Sequence, residues 1–320
     1  MLQPYDMPLE QLRQYRPNLD AEPDLRAFWD ESLRQMSDEP WDEAMEGVEY
    51  PANGIVMAQV SYRGFRGAAL HAWYARPAGQ ELLPGLVLYH GYNWNYEGGI
   101  HEVANWALHG YAVLGLSVRG QQGSGTSVPS PHGHVAGWMT EGILDPQSYY
   151  YRGAYLDAVR AVEWLSRRPE VDRSRIGITG GSQGGGLTLA VAALSSIPTV
   201  AVAEYPYLAH FRRAVDIAPA GPYGELTEFL RQNGDPRVEE QVFRTLSYFD
   251  VMNLAPWIMQ PTLVSVGLID QLTPPSTIFA AFNHIGSKEK RIQVYRYFGH
   301  EYIPRFHSEK LAWLKTRLQD

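Results

Sequence analysis

The stretch RIGITGGSQGGG, residues 175–186, joins an apolar run to a glycine-rich turn that holds one serine, Ser182. It contains the pattern G-x-S-x-G between a predicted strand at 175–179 and a helix predicted to begin near Gly185. A serine at so sharp a turn needs small neighbours, because the surrounding chain must pass closely. The helix N-terminus would direct free amides toward developing negative charge. The pattern predicts a nucleophilic serine, although a plain glycine-rich turn with a surface serine also fits it.

Near-continuous apolar runs recur on both sides of this stretch, at 86–89, 112–116, 200–203 and 262–266. Such runs are typical of strands buried on both faces. Helical patterns lie between them, at 102–109, 149–165, 187–194 and 276–285. Strands that alternate with helices predict an α/β fold with a mostly parallel central sheet flanked by helices.

Three segments depart from this alternation. Residues 1–49 predict an N-terminal extension with an amphipathic helix, because apolar residues recur at helical spacing between 25 and 36. Residues 55–62 and 69–75 predict an antiparallel hairpin. Residues 206–256 have helical, proline- and glycine-interrupted character, which predicts a helical insertion before the strand at 262–268. We expect one domain over residues 1–320.

Two further residues follow predicted strands in the order that a serine hydrolase of this fold requires. Asp270 comes directly after the strand at 262–268, and His300 follows the strand at 291–297. Open α/β sheets place their sites at the carboxyl ends of strands. Each residue alone fits a solvated loop, but with Ser182 the three predict a catalytic triad, in which His300 is the general base and Asp270 orients it.

The apolar run at 86–89, which is the third predicted strand, predicts the rest of the site because it leads into His90-Gly91-Tyr92-Asn93. The backbone N–H groups of Tyr92 and Gln183 are expected to form an oxyanion hole, each contributing about 3 kcal/mol to transition-state stabilisation. We expect His90 to hold this loop rather than to act as a base. Tyr92 is also expected to narrow the acyl pocket, together with Phe211.

Composition limits the other classes of function. The 320 residues carry a net charge of −8 without a basic stripe, which argues against nucleic acid and anionic membrane surfaces as partners. Cysteine is absent, so thiolate and cysteine-ligated metal sites are excluded. No signal peptide or membrane-spanning run is visible, and we expect a cytoplasmic protein. His132 and His134 lack the pattern of a metal site, so no metal or cofactor is predicted.

Several motifs together resemble carbohydrate esterase family 7, the acetyl xylan esterases and cephalosporin C deacetylases. They cover essentially the whole chain and comprise Arg119-Gly120-Gln121, Gly180-Gly181-Ser182-Gln183-Gly184, His300-Glu301, His90-Gly91-Tyr92, Ser130-Pro131-His132-Gly133-His134, Thr245-Leu246-Ser247-Tyr248-Phe249-Asp250 and Pro274-Pro275-Ser276-Thr277. The family belongs to the α/β-hydrolase superfamily.

The resemblance implies removal of acetyl groups from short xylo-oligosaccharides and from cephalosporin C, without a cofactor. It also implies a cytoplasmic homohexamer whose active sites face an internal cavity. By the same resemblance Ser182, Asp270 and His300 match the triad, and Tyr92 and Gln183 match the oxyanion donors. Arg119, Gln121 and Glu301 match residues that we expect to support the site.

Three alternatives remain open. A protein of this fold can bind ligands without catalysis, although a complete set of triad residues argues against that reading. A general short-chain carboxylesterase with a physiological substrate other than xylan is the second alternative. A peptidase of the prolyl oligopeptidase type is the third, but it usually carries a large β-propeller for which 320 residues leave no room. The aromatic residues Tyr92, Trp94, Tyr96 and Trp138 are expected near the cleft mouth, either to stack on sugars or simply to pack.

Overall fold

A central sheet organises the computed structural model, which describes residues 5–79, 82–96, 99–123, 137–218 and 220–319. Its strands are β1 (Ala44–Val48), β2 (Ile55–Arg63), β3 (Ala69–Pro77), β4 (Leu83–Tyr89), β5 (Ala112–Ser117), β6 (Val171–Gly181), β7 (Val200–Glu204), β8 (Thr262–Gly267) and β9 (Lys290–Tyr295). Their order is β1-β2-β3-β5-β4-β6-β7-β8-β9. The pairs β1–β2, β2–β3 and β3–β5 are antiparallel, and all the others are parallel.

Helices cover both faces of the sheet. They are α1 (Leu9–Gln14), α2 (Leu25–Ser37), α3 (Ile100–Leu108), α4 (Tyr150–Ser166), α5 (Gln183–Leu194), α6 (Phe211–Ile217), α7 (Pro222–Asn233), α8 (Pro236–Ser247), α9 (Val251–Leu254), α10 (Pro275–His284) and α11 (Pro304–Leu318). Among these helices, none combines the length and the apolar character that crossing a lipid bilayer requires. The predicted α/β-hydrolase fold, with a mostly parallel sheet between helices, is confirmed.

The parallel strands are apolar on both sides because each side packs against helices. Every residue of β4 is buried, and its neighbours Leu86 and Val87 belong to different apolar clusters. Val87 shares the larger cluster with α4 and α5, whereas Leu86 shares the smaller cluster with α3 and α11. This double burial explains why the strands appear in the sequence as continuous rather than alternating apolar runs.

The N-terminal extension is fastened to the helical insertion by specific hydrogen bonds. Trp29 of α2 is fully buried and donates its Nε1–H to the Tyr248 carbonyl at 2.9 Å. The buried Asp6 carboxylate accepts from the Ser276 backbone N–H at 2.7 Å and pairs with Arg213 at 2.9 Å. The extension therefore contacts α6, α8 and α10, close to the segment that carries Asp270.

Some boundaries differ from the sequence prediction. Strand β1 lies inside the predicted extension, and its mostly exposed residues give no apolar signal. Helix α5 begins at Gln183, directly after the serine, rather than near Gly185. Helix α11 was not predicted. The insertion is helical as expected, with α6 to α9 between β7 and β8, whereas the single-domain organisation stays a prediction.

Candidate active site

Ser182 lies at the turn between β6 and α5 in a strained backbone conformation, with φ +56° and ψ −119°. Such a conformation is costly for a residue with a side chain, and the surrounding structure must enforce it. The Ser182 backbone N–H donates to the Glu204 carbonyl at 3.0 Å. Its carbonyl accepts from the N–H groups of Gly186 and Tyr207, at 3.0 and 2.9 Å. The end of β7 and the first turn of α5 therefore hold the serine from both sides.

Glycine is required around this turn because backbone atoms occupy the space of a side chain. A Cβ at Gly180 or Gly184 would overlap the Tyr89 carbonyl oxygen, and one at Gly185 would lie 2.8 Å from the Glu204 carbonyl oxygen. The close approach of β4, β7 and α5 thus explains the glycine-rich sequence around Ser182.

The structure brings together the three predicted triad residues. His300 Nε2 lies 2.9 Å from Ser182 Oγ, and His300 Nδ1 lies 2.9 Å from Asp270 Oδ2. Asp270 is fully buried, and its Oδ1 accepts backbone N–H groups of Leu272 and Thr273 at 2.8 and 2.9 Å. The Thr273 hydroxyl donates to Oδ2 at 2.7 Å. These donors fix the carboxylate so that it holds the imidazole with Nε2 toward the serine.

The Tyr205 ring braces His300 from another direction. Its centre lies 4.8 Å from the imidazole centre in an edge-to-face arrangement. Tyr205 follows β7 directly and has a positive φ of 32°, which turns the chain at the end of the strand. The role of Tyr205 could not be predicted, because a tyrosine after a buried strand carries no specific signal.

The two predicted oxyanion donors are joined by a network of side-chain amides. Gln121 and Gln183 exchange hydrogen bonds of 2.9 and 3.1 Å, and Gln121 Oε1 also accepts the Asn93 backbone N–H at 2.8 Å. Within the described residues, the backbone N–H groups of Tyr92 and Gln183 have no hydrogen-bond acceptor. Gln121 therefore fixes the spacing between the two loops while leaving both N–H groups available to a ligand.

Glu225 of the insertion holds Tyr92 from the opposite side. The Tyr92 hydroxyl donates to the Glu225 carboxylate, with oxygen–oxygen distances of 2.7 and 2.8 Å. That carboxylate also accepts the Met139 N–H at 3.1 Å, and the Tyr92 oxygen accepts the Trp138 N–H at 2.9 Å. Burial raises the pKa of Glu225. Sequence reasoning missed Glu225, because its partner lies 133 residues away.

Arg119 and Glu301 lie where they can support the site. The Arg119 guanidinium forms a two-pronged ion pair with Asp157, with nitrogen–oxygen distances of 2.5 and 2.7 Å, and both side chains are buried. It also donates to the Phe65 carbonyl at 3.0 Å. Glu301 is exposed and accepts the Gly299 N–H at 3.0 Å, beside His300.

His90 holds the loop that carries Tyr92, as the sequence analysis expected. Its Nε2 accepts the Val118 N–H at 2.8 Å, so its Nδ1 carries the proton and donates to the Gly91 carbonyl at 2.8 Å. Burial lowers the pKa of His90 to about 4, which favours this neutral form. His90 therefore links the ends of β4 and β5.

A cleft of about 820 Å³ opens above Ser182 and His300. Tyr92, Trp94 and Tyr96 line it, as predicted. Trp138 does not: it is buried, and its ring packs 5.0 Å from that of Tyr150.

The prediction that Phe211 narrows the acyl pocket is also wrong. Phe211 is buried in the core against Tyr223, because helix α6 turns its first residue inward. Tyr207, Pro222 and Leu272 line the cleft instead. His132 and His134 lie outside the described residues. Within the described part of the chain, no group of three or more potential metal ligands is found.

Comparison with known proteins identifies a family and solved structures to which the chain is similar. The family model described as Acetyl xylan esterase (AXE1) matches residues 2–317. An acetyl xylan esterase from Paenibacillus sp. R4 is 44% identical with a TM-score of 0.93, and the match covers 98% of this chain and 100% of that one. Acetyl xylan esterase 1 from Thermoanaerobacterium sp. JW/SL YS485 is 32% identical with a TM-score of 0.88, over the same shares.

A curated relative is longer than this chain. The acetyl esterase Axe7A of Xylanibacter ruminicola is 24% identical over 281 residues, which are 84% of this chain but 61% of that protein. The chain therefore spans about three fifths of the length of that relative.

Proposed function

Because the chain belongs to the acetyl xylan esterase family, we propose that it is a carboxylic ester hydrolase that removes acetyl groups from acetylated sugars. The observation that carries the proposal is the hydrogen-bonded series from Ser182 through His300 to Asp270, at 2.9 Å for each contact. That series lies in a cleft beside two free backbone N–H groups. Acyl transfer to a serine requires this combination of nucleophile, base and oxyanion donors.

The mechanism follows from the distances. His300 Nε2 takes the Ser182 proton as Oγ attacks the acetyl carbonyl carbon, and the Tyr92 and Gln183 N–H groups bind the oxyanion. Asp270 stabilises the imidazolium. His300 then donates the proton to the departing sugar oxygen, which leaves an acetyl-serine. A water molecule, deprotonated by His300, attacks this ester, and His300 passes the proton to Ser182 Oγ as the acyl–oxygen bond breaks and acetate departs. Within this proposal Arg119, Gln121 and Glu301 support the site without contacting the substrate.

The nucleophile is tested by Ser182→Ala. Acetate release from acetylated xylobiose should fall to less than about one thousandth of the wild-type rate, and labelling by a serine-directed phosphonate should disappear. Ser195→Ala is the matched control, because Ser195 lies just beyond the other end of α5. Residual activity near the wild-type level in a folded Ser182→Ala protein would refute the assignment. A folded wild-type protein that is neither labelled by the phosphonate nor able to hydrolyse any ester would favour the non-catalytic alternative.

The substrate class distinguishes the proposal from a general short-chain carboxylesterase. We expect acetylated xylo-oligosaccharides and cephalosporin C to be deacetylated, and octanoyl esters to be cut poorly, because Tyr92, Tyr207 and Leu272 narrow the cleft. A kcat/KM that rises steadily up to eight carbons would favour the general esterase.

Assembly and location extend the same proposal. The family relationship supports a homohexamer, whose mass in light scattering would be about six times the 36.1 kDa of one chain. A monomer in solution would refute it. Sites that face an internal cavity would act more slowly per acetyl group on polymeric acetylxylan than on short oligomers. A cytoplasmic location, and catalysis without a cofactor, stay predictions.

A further inference from the structure

The cleft is lined by two chemically different groups of residues. One part of its lining is mainly apolar, with Tyr207, which packs against Tyr92, and with Pro222 and Leu272. Elsewhere, between the helices α3 and α11, it is polar. We refer to these residues as the polar chamber: Glu102, Asn105, Glu204, His307 and Lys310.

The polar chamber adjoins the imidazole side of the site. The carbonyl of Glu204 accepts the Ser182 N–H at 3.0 Å, and the next residue, Tyr205, packs against His300. In acyl transfer the departing oxygen must receive its proton from His300 Nε2. The alcohol half of the ester therefore lies beside His300, and Tyr205 connects His300 to the chamber residue Glu204.

Some of the chamber's polar groups are already paired, and others are free. Lys310 Nζ lies 2.6 Å from Glu204 Oε1 and 5.3 Å from the Trp106 ring centre, so its charge is compensated. The side chains of Glu102 and Asn105 have no hydrogen-bond partner in the described part of the chain. Both are exposed to the cleft, yet surrounding protein raises the pKa of Glu102. Such groups are available to the hydroxyls of a ligand.

The charges of the chamber favour an uncharged ligand. Glu102 and Glu204 together oppose the single positive charge of Lys310, and burial lowers the pKa of His307 so that its neutral form is favoured. A negatively charged alcohol would be repelled, whereas neutral hydroxyls can donate to the carboxylates. The ring of Tyr302 is 60% exposed and lines the same cleft, where it offers an apolar face.

We propose that the polar chamber binds a neutral pyranose ring in the alcohol half of the substrate, with Glu102 and Asn105 as the groups that contact its hydroxyls. The buried Lys310–Glu204 pair forms the fixed floor of this subsite. The cleft volume of about 820 Å³ far exceeds the needs of an acetyl group and suits a ligand of one or two sugar rings. The inference rests on the proposed esterase function and names the part of the site that selects the sugar.

The test compares a sugar ester with an ester that lacks the sugar. Glu102→Ala should lower kcat/KM for acetylated xylobiose about tenfold, mainly through KM, because one charged hydrogen bond to a hydroxyl is lost. The same variant should hydrolyse p-nitrophenyl acetate within about twofold of the wild type, since that leaving group has no ring hydroxyls. Glu102→Gln should retain part of the preference for acetylated xylobiose over p-nitrophenyl acetate. Glu46→Gln, on the exposed strand β1, is the control and should change neither rate.

A binding measurement separates this inference from the proposed function. Unacetylated xylobiose should inhibit hydrolysis of p-nitrophenyl acetate competitively, and its inhibition constant should rise about tenfold in Glu102→Ala and in Asn105→Ala. If xylobiose inhibits but its acetyl esters are not hydrolysed, the subsite stands and the proposed function fails. If the wild type deacetylates the sugar and both variants behave like it, the subsite is refuted. An equal loss on both esters would also refute it, because it would indicate a structural role.

Discussion

Replacing Arg119 with methionine should destabilise the fold and leave the chemistry largely intact. Arg119 and Asp157 are both buried, and the guanidinium contributes three hydrogen bonds, two to Asp157 and one to the Phe65 carbonyl. Methionine fills much of the same volume but leaves the Asp157 carboxylate buried without its partner. Removal of one member of a buried ion pair costs about 3–5 kcal/mol. The free energy of unfolding of a whole domain is only about 5–15 kcal/mol, so the loss is a large fraction of the total stability.

The assay is urea unfolding followed by tryptophan fluorescence at one fixed protein concentration, because association also stabilises the folded state. With a slope of about 3 kcal/mol per molar urea, the midpoint should fall by about 1 M or more. In the double variant Arg119→Met/Asp157→Asn much of the loss should be recovered, since the buried charge is gone and the amide oxygen still accepts the Phe65 N–H. Arg34→Met, in an exposed pair with Glu31, is the control and should not move the midpoint.

The activity of the same variant decides whether Arg119 supports the site or takes part in catalysis. At urea concentrations where it is folded, Arg119→Met should keep most of its kcat. An unchanged unfolding midpoint with a kcat reduced a hundredfold or more would refute the reasoning, because the guanidinium would then act on the reacting groups.

Three further changes test other parts of the site. Asp270→Asn should lower kcat on the order of 10⁴-fold by favouring the wrong imidazole tautomer. A nearly normal rate would show that a different acidic residue orients His300. Burial lowers the pKa of His90 to about 4, so the folded protein resists protonation of this imidazole more than the unfolded chain does. The free energy of unfolding of the wild type should therefore fall by about 3 kcal/mol as the pH falls from about 6.5 to 4. His90→Gln, which can still accept the Val118 N–H, should flatten that part of the stability profile measured by urea unfolding. Glu225→Gln should lower kcat several-fold with little change in KM, and should have almost no effect in a Tyr92→Phe background, where the hydroxyl it contacts is absent.

Those parts of the fold and site that depend on short stretches of sequence were predictable. Buried strands appear as apolar runs, and Ser182 and Asp270 come shortly after such runs, whereas His300 follows the partly exposed, alternating strand β9. Strand β1 gave no such signal, because most of its residues face solvent and only its pairing with β2 defines it. The buried residues of helix α11 recur at every fourth position, Phe306, Lys310, Leu314 and Leu318, and this periodicity is a helix signal that can be read from the sequence.

Contacts between distant segments could not be predicted in the same way. Glu225 reaches Tyr92 only because the insertion folds back over the cleft, and Lys310 meets Glu204 across 106 residues. The burial of single aromatic residues also could not be predicted from the sequence. Trp138 and Phe211 have large aromatic side chains that can line a cleft or fill a core. Only the packing of neighbouring helices decides which of these two places each one takes.

The crowding around the serine turn also limits how the protein can change over evolutionary time. Gly180, Gly184 and Gly185 face backbone atoms, which cannot be shortened by a compensating substitution elsewhere. Tyr207 and Pro222, by contrast, come from the insertion and line the cleft. New substrate ranges should therefore arise in lineages and in directed evolution through replacements in the insertion, whereas the glycines of the turn should stay fixed. A library randomised at residues 207 and 222 should yield many active clones, and one randomised at 180 and 184 almost none.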